Sequence, residues 1–271
     1  MGSKGASRHR KRFTAPITYP IARKHHKFTI KNTPSGHLTR RSIPLSIVLR
    51  NILDLAETTR EANHVIRSGA ICVDNVARRD PRFAIGPMDI LSIPELSIHY
   101  RVTPFAGKRH LSLVEIPDEA SNWKLCKVIG KRIINKGRTQ INFHDGRSIE
   151  TAEDDEGIFA DISPGDTIKI SLPEQELLEH LPLQTDVWGV VEDGSNVGKN
   201  GRLAELEKRV GKNRSIAVLE TENEAVVRTS LEYVFVIGKD KPIIEIPVET
   251  EEEEETTISD TTGEAINDDE E

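Results

Sequence analysis

Apolar residues recur at helical spacing in one short region of this chain and alternate like β-strands in most of the rest. The helical stripe is formed by Leu45, Val48, Leu49, Ile52, Leu53 and Ala56. It predicts an amphipathic helix that begins near Ser42 and Pro44, because the missing N–H of proline costs little at an early helical position.

A second short helix is predicted directly after the first. Thr58 and Glu61 have the spacing of a capping box at its start, and Gly69 supplies the left-handed position at its end. Its apolar face is formed by Ala62, Val65 and Ile66.

Beyond Gly69 the pattern is that of strands and tight turns. Strands are predicted at 70–73, 89–93, 123–129, 140–143, 167–170, 187–191, 215–219, 225–228 and 233–237. Turns are predicted at 74–75, 144–147 and 164–166, of which 144–147 contains the Asp-Gly pair typical of a hairpin. Residues 177–183 are predicted as a linker or short helix, and 201–210 is helical by propensity alone.

These elements predict an α+β multidomain protein, and 271 residues leave room for about two or three small domains. The predicted parts are a basic extended arm at 1–42, an α/β module at 43–99, a β-rich central domain at 100–180, a small barrel at 181–248 and a disordered acidic tail at 249–271.

Charge is strongly polarised along the chain. No acidic residue precedes Asp54, whereas twelve basic side chains do: Lys4, Arg8, Arg10, Lys11, Arg12, Arg23, Lys24, Lys27, Lys31, Arg40, Arg41 and Arg50. Such a segment repels itself, and a polyanion would neutralise it. Phe13 and Phe28 offer rings for stacking on unpaired bases, so we expect RNA; the alternative is a solvated tail.

The other end of the chain is acidic. Residues 249–271 contain twelve carboxylates and no Lys or Arg, and the whole chain has a net charge of −7. We expect this tail to be disordered, since its apolar content cannot offset the entropy of ordering. Its role is either to compete with RNA for the arm or to aid solubility.

Other features restrict the class of protein. Cys72 and Cys126 lie far apart without metal-ligand spacing, so we expect buried apolar thiols and neither a disulfide nor a zinc site. No apolar run approaches the roughly 20 residues of a membrane span, and no secretory signal is evident, so we expect a cytoplasmic protein.

Candidate RNA contacts cluster on the second predicted helix. Arg60, Asn63 and Arg67 share one face of it, beside the solvent-facing Arg50. Arg40 and Arg41 precede this unit, and Arg78 and Arg79 follow it. Guanidinium groups at this spacing suit successive phosphates, although an amphipathic helix with a basic exterior shows the same pattern.

Catalytic and cofactor interpretations gain little support. The glycine loop GSNVGKNG at 194–201 is too short for a nucleotide-binding loop. His144 and Asp145 are adjacent in a predicted turn, where neighbouring side chains diverge, and the nine histidines show no metal-binding pair. We therefore expect no catalytic residues, no metal and no cofactor.

Several motifs together resemble a known family. The run TTREANHVIRSGAICVDNVARRD with GPMDILSIPE resembles the RNA-binding domain shared by ribosomal protein S-four, pseudouridine synthases and some tRNA synthetases. WKLCKV, HDGRSI with GDTIKI, and YVFVIGKDKP follow in order. With the basic arm, they resemble the e-type small-subunit ribosomal protein four family of archaea and eukaryotes.

The resemblance also concerns the glycine loop, which is similar to the KOW motif of SH3-like barrels. It implies RNA contact at Asn196, Gly198 and Lys199, and a strand rather than a helix at 201–210. Ser195 departs from the basic residue that the motif has there. The partners that the family implies are small-subunit rRNA and neighbouring ribosomal proteins.

The resulting expectation is a non-catalytic, rRNA-binding constituent of the small ribosomal subunit that supports assembly and translation. Two alternatives are an RNA-modifying enzyme of the pseudouridine synthase class and a KOW-type transcription factor. A pseudouridine synthase would need a large catalytic domain with a catalytic Asp, and residues 100–248 are small and turn-rich.

Overall fold

The protein is a strand-rich α/β chain with three helices in its described parts. The computed structural model describes residues 9–107, 110–134, 138–150, 161–207, 209, 215–221 and 225–247. The helices are α1 (Leu45–Asn51), α2 (Thr59–Ser68) and α3 (Asp118–Ser121). None of the described helices is long and apolar enough to span a bilayer. The acidic tail at 249–271 lies outside the described residues.

The first sheet carries the two longer helices. It has the antiparallel order β5-β4-β7-β8-β9, formed by β4 (Cys72–Val73), β5 (Val76–Ala77), β7 (Ile90–Ile93), β8 (Ile98–Pro104) and β9 (Leu111–Ile116). Beside it, β3 (Ile43–Pro44) pairs with β6 (Ala84–Ile85). Because β8 pairs with β7 and β9 with β8, this unit extends to residue 116, past the predicted boundary at 99.

Residues 9–42 pack on this first unit. They contain β1 (Arg10–Lys11) and β2 (Phe28–Thr29), which pair with each other. Ala15 and Tyr19 are buried in the same apolar core as Leu45 and Ile66. The described part of the predicted basic arm is therefore not separate from the neighbouring unit: although its charge is high, its few apolar side chains share the core of that unit.

The central sheet has the order β12-β11-β10-β13-β14. Its strands are β10 (Trp123–Ile133), β11 (Thr139–Phe143), β12 (Ser148–Glu150), β13 (Thr167–Ser171) and β14 (Leu177–Leu181). The predicted hairpin turn at 144–147 is confirmed, since Asn142 pairs with Ser148 across it. The prediction of a linker or short helix at 177–183 is wrong, because β14 pairs with β13 and the sheet decides its conformation.

The third sheet has the order β18-β17-β16-β15-β19. Its strands are β15 (Trp188–Val191), β16 (Asn200–Glu207), β17 (Ile216–Glu220), β18 (Val226–Ser230) and β19 (Val234–Gly238). The conflict over 201–210 is resolved in favour of a strand as far as Glu207: β16 pairs on both sides, with β15 and β17, and this pairing overrides helical propensity.

Both predicted helices are present, and their ends show how the sequence limits them. The capping box between Thr58 and Glu61 is confirmed, and Gly69 ends α2 with φ of 90°. The first helix begins at Leu45, with Pro44 as its cap in extended conformation, and ends at Asn51. It is therefore shorter than the apolar stripe, which continues through a turn to the buried Ala56.

Candidate nucleic-acid interface

Helix α2 presents a basic face to solvent because its other face is fixed in the core. Ala62 and Ile66 are fully buried. Arg60 and Arg67 are therefore exposed on the outer side, with the half-buried Asn63 between them. These three side chains line an open groove together with Thr58 and His64. Glu61 also lines this groove, and its carboxylate accepts from the N–H of Thr58 at the start of the helix.

Arg50 joins this surface at the end of α1. Its Nε donates to Asn51 Oδ1 over 3.0 Å, and its Nη1 donates to the hydroxyl of Thr59 at the start of α2. Burial lowers the pKa of Arg50, and the charge of Arg12 lowers it further.

The N-terminal segment exposes some of its predicted contacts. Lys11, Lys24 and Lys27 are exposed, and so are the rings of Phe13 and Phe28. Arg10 is half-buried, with its guanidinium 5.8 Å from the centre of the Tyr19 ring. Lys4 and Arg8 lie outside the described residues.

Two predicted contacts in this segment have other surroundings. Arg23 donates hydrogen bonds to backbone oxygens of Phe13, Ala15 and Pro16, at 3.3, 2.7 and 3.1 Å. It thereby holds the backbone of the segment in place. Arg12 is buried, with only 7% of its surface exposed. Sequence reasoning treats every cation in a charged run as solvated, and here tertiary packing decides otherwise.

Arg40 and Arg41 point to protein carboxylates. Arg41 forms ion pairs with Glu192 at 3.2 Å and Asp193 at 2.7 Å, and Arg40 lies 3.1 Å from the same Asp193. These acids follow strand β15, so the pairs tie the N-terminal segment to the third sheet. Arg41 is half-buried and is a structural contact; Arg40 remains largely exposed.

The two arginines after β5 differ in the same way. Arg78 is half-buried, with its guanidinium 4.6 Å from the centre of the Phe83 ring. Arg79 is exposed, and its side chain covers Gly69 at the end of α2. Arg79 thus extends the basic face of α2, whereas Arg78 packs on the protein.

The glycine loop of the third sheet makes mainly internal contacts. Asn196 donates to the backbone oxygen of Arg228 at 3.3 Å, and Lys199 donates to Asn196 at 3.1 Å. Gly198 has φ of 80°, and a Cβ there would lie 2.0 Å from the backbone nitrogen of Ala106. The close approach that this glycine permits is to the first unit of the protein itself.

Sequence reasoning missed a buried ionic cluster around Lys124. The Lys124 ammonium is fully buried and lies 3.0 Å from Asp74, 2.5 Å from Asp89 and 3.1 Å from Asp145. Arg147 also binds Asp74 and Asp145. Burial opposes the charge of Lys124, but the three carboxylates hold its pKa well above the usual value. The sequence signal for this cluster was a lysine next to Leu125 and Cys126 within a predicted strand, a position where a side chain is expected to be buried.

The same cluster includes the one group of potential metal ligands in the described part of the chain. Donor atoms of Cys126, His144 and Asp145 lie within 4.8 Å of one another. Burial raises the pKa of the Cys126 thiol, which favours its protonated form. His144 Nδ1 accepts from the Lys127 N–H, and Asp145 binds Lys124. Protein groups thus satisfy these atoms, and the lysine ammonium supplies the positive charge.

A basic hairpin was also missed. Strands β10 and β11 pair antiparallel, and Arg132 and Ile133 at the end of β10 are exposed. Arg132 donates to Gln140 across the hairpin at 2.7 Å. Its cations were overlooked because Lys131 and Arg132 are followed by Ile133 and Ile134, which interrupts the run of charge.

Comparison with known proteins reveals similarity over nearly the whole chain. The model of "Ribosomal family S4e" matches residues 97–177. The small ribosomal subunit protein eS4 of Methanothermobacter thermautotrophicus is 39% identical over 247 residues, covering 91% of this chain and 99% of that protein. The eS4 protein of Desulfurococcus amylolyticus is 37% identical over 252 residues, covering 91% and 98%.

A solved structure gives the same relationship. The crystal structure of the 30S ribosomal protein S4e from Thermoplasma acidophilum aligns with a TM-score of 0.61 and 28% identity. The alignment covers 73% of this chain and 96% of that one.

Proposed function

This chain belongs to the ribosomal S4e family, and from that premise we propose that it is a structural constituent of the small ribosomal subunit. In that role it binds small-subunit rRNA and neighbouring ribosomal proteins in the cytoplasm, and it supports subunit assembly and translation. The observation that carries this function is the match to 99% of the length of a small ribosomal subunit protein eS4.

This function is not enzymatic. The relatives that match 91% of the chain are named as small-subunit proteins, and not as pseudouridine synthases or transcription factors. The charged residues buried around Lys124 form ion pairs with one another. They are buried and hold the units of the protein together.

We further infer the roles of the individual units. The first unit acts as an S-four-like RNA-binding module, in support of which α1 and α2 pack on one side of its sheet. The third sheet is a KOW-type SH3-like barrel, supported by its five antiparallel strands and the glycine loop between β15 and β16.

The proposed RNA surface consists of the predicted cations that remain exposed. On the helical side these are Arg60, Arg67 and Arg79, with Asn63 as a polar contact, and Arg40 and Lys199 are exposed outside the helices. The N-terminal segment adds Lys11, Lys24 and Lys27, and Lys4 and Arg8 are proposed from the sequence. Arg23, Arg41 and Arg78 are assigned to internal packing by their partners.

The mechanism follows from this surface. Guanidinium and ammonium groups neutralise phosphates and release counterions, which supplies affinity without reading sequence. A rigid helix face fixes the spacing of those contacts, so the protein recognises the shape of folded RNA. Pairing of the N-terminal segment with both the first and third sheets keeps the contacts in fixed relative positions.

Sedimentation tests this function directly. An affinity-tagged copy expressed in its own host is expected to migrate with small subunits and with whole ribosomes, and to remain there after washing in moderate salt. A tagged copy with the exposed Arg60, Arg67 and Arg79 replaced by alanine is the matched control and should be released from the particles at lower salt. Full-length protein found only in the unbound fractions would contradict the proposal.

A further inference from the structure

A cavity of about 240 Å³ lies between the end of β9, helix α3 and the segment that follows β19. Its apolar walls are formed by Val114, Ile116, Pro117, Ala120 and Ile243. Pockets for cofactors and drug-sized ligands are larger, at roughly 300–1,000 Å³. The size and the walls of this cavity therefore suit a single apolar side chain.

Arg101 lines the same cavity and is a buried cation with unused hydrogen-bond donors. Only 2% of its surface is exposed, and its Nη2 donates to the backbone oxygens of Ala120 and Trp123, at 2.8 and 3.0 Å. Nε has no acceptor among the described residues, and Nη1 donates to none of them. Burial lowers the pKa of Arg101 to about 10, and the charge of Asp74 opposes this only in part. An unsatisfied buried donor costs free energy, which a partner's acceptor would recover.

The guanidinium of Arg101 is held in position before a partner arrives. It lies 4.2 Å from the centre of the Trp123 ring, and Lys169 Nζ lies at the same distance from that ring. The two backbone oxygens that accept from Nη2 fix its orientation. Binding to a preorganised donor loses less conformational entropy than binding to a flexible one.

Exposed carboxylates surround the apolar walls. Glu115 and Glu245 line the cavity, and Glu119 is exposed in α3. None of these three forms an ion pair with another described residue, whereas Asp118 lies 3.2 Å from His99. Such a rim repels the phosphates of RNA and attracts lysine and arginine side chains. The surface therefore differs in sign from the basic face of α2.

We propose that this cavity docks a basic, extended segment of a neighbouring ribosomal protein, with one apolar side chain of that segment inside it. The class of partner rests on the function proposed above. Each part of the site matches a part of such a segment. The walls bury the side chain, Arg101 donates to a main-chain oxygen, and Glu115 and Glu245 pair with flanking cations.

A peptide tests the site on the full-length protein. In a Trp188→Phe background, Trp123 is the sole tryptophan, and its emission reports on the cavity that it lines. The probe is a short peptide with one leucine between two pairs of lysines, blocked at both ends, for which we expect a saturable shift of emission. Serine in place of the leucine should weaken binding about tenfold or more, because burial of the leucine is lost.

Variants of the protein separate the walls from the rim. Ala120→Leu fills the cavity and should weaken binding of the leucine peptide about tenfold or more. Glu115→Gln with Glu245→Gln should weaken it about two- to fivefold at low salt, and the difference should vanish at high salt. Glu205→Gln with Glu220→Gln is the matched control, because it removes the same charge from exposed positions of the third sheet. These surface variants retain the fold, so the test stands even if Ala120→Leu is destabilised.

The outcomes for peptide and RNA decide between the two classes of partner. A short oligouridine should give no saturable shift of the Trp123 emission. A shift with oligouridine, no shift with the leucine peptide, or equal binding by Glu115→Gln with Glu245→Gln and by the wild type at low salt would each overturn the proposed site.

Cross-linking in purified small subunits identifies the partner. With Glu119 replaced by photoreactive benzoylphenylalanine, we expect a cross-link to a segment of one ribosomal protein that is rich in lysine or arginine, and its loss when Ala120→Leu is added. A cross-link to rRNA, or no cross-link, would overturn the docking inference and leave the chain a component of the subunit. Absence of the tagged protein from the subunits would instead contradict the proposed function.

Discussion

The Lys124 ammonium lies 3.0 Å from the carboxylate of Asp74, although the two residues are fifty positions apart in the chain. Asp74 follows β4 in the first unit, and Lys124 is in β10 of the central sheet. Asp89 and Asp145 complete the contacts of the ammonium. One fully buried lysine thus connects the unit that carries the basic helix to the unit beside it.

Replacing Lys124 should destabilise the protein strongly. Lys124→Met leaves three buried carboxylates without their shared cation, for which we expect a loss of about 3–5 kcal/mol in the free energy of unfolding. Chemical denaturation measures it. Lys239→Met is the control, since Lys239 is half-exposed in its pair with Glu179 and should change stability by less than about 1 kcal/mol. Equal stabilities of the two variants would show that the cluster contributes little.

Stability should fall in mild acid because His144 is buried in its neutral form. Nδ1 accepts from the Lys127 N–H at 3.1 Å and Nε2 lies 3.2 Å from the Pro87 oxygen, a pattern that suits the neutral ring. Burial lowers the pKa of His144 from 6.5 to about 4. The unfolded chain therefore binds the proton first, and stability is lost as the pH falls from about 6.5 to 4.

The shift in His144 corresponds to at most about 3 kcal/mol. His144→Gln, which keeps a donor and an acceptor, should remove this slope when unfolding is measured from pH 7 to 4. A second loss should follow at lower pH: burial opposes ionisation of Asp145, but Lys124, His144 and Arg147 outweigh it and lower the pKa of Asp145 to about 2. Identical pH profiles of wild type and His144→Gln would refute the assignment.

Gly198 should be intolerant of any side chain. Its φ of 80° is unfavourable for other residues, and a Cβ would overlap the backbone of Phe105 and Ala106. We expect Gly198→Ala to cost at least about 2 kcal/mol. Gly130→Ala is the control, because nothing lies within 4 Å of the added atom, and it should stay within about 0.5 kcal/mol of wild type. Equal stability of the two variants in thermal unfolding would show that residue 198 does not approach the backbone of Phe105 and Ala106 this closely.

Replacing Arg60 and Arg67 together with alanine should weaken rRNA binding and reduce its dependence on salt. The slope of log K against log salt should change by up to about two phosphate contacts, at roughly 0.7 to 0.9 each. The fold should be retained because both side chains are exposed. Arg202→Ala with Lys239→Ala removes the same charge from the third sheet and should leave the slope unchanged. If both pairs reduce it alike, net charge and not the helix face is responsible.

Local sequence determined those features whose causes lie within a few residues. Three such features are the capping box at Thr58, the end of α2 at Gly69 and the hairpin at 144–147. They depend on contacts between residues close together in the chain, so the sequence alone predicts them. The sequence also predicts the polarised charge, which follows from composition, and the exposed face of α2, which follows from helical periodicity.

Tertiary structure decided which polar groups are paired and which strands are formed. Residues 177–181 form a strand because they pair with β13. Residues 200–207 form a strand because they pair with β15 on one side and β17 on the other. Arg41 forms an ion pair with Asp193, which follows β15 of the third sheet. The buried Lys124 forms ion pairs with three carboxylates from separate segments of the chain. Such contacts join residues far apart in the chain, and their free energy depends on burial and distance, which no local pattern specifies.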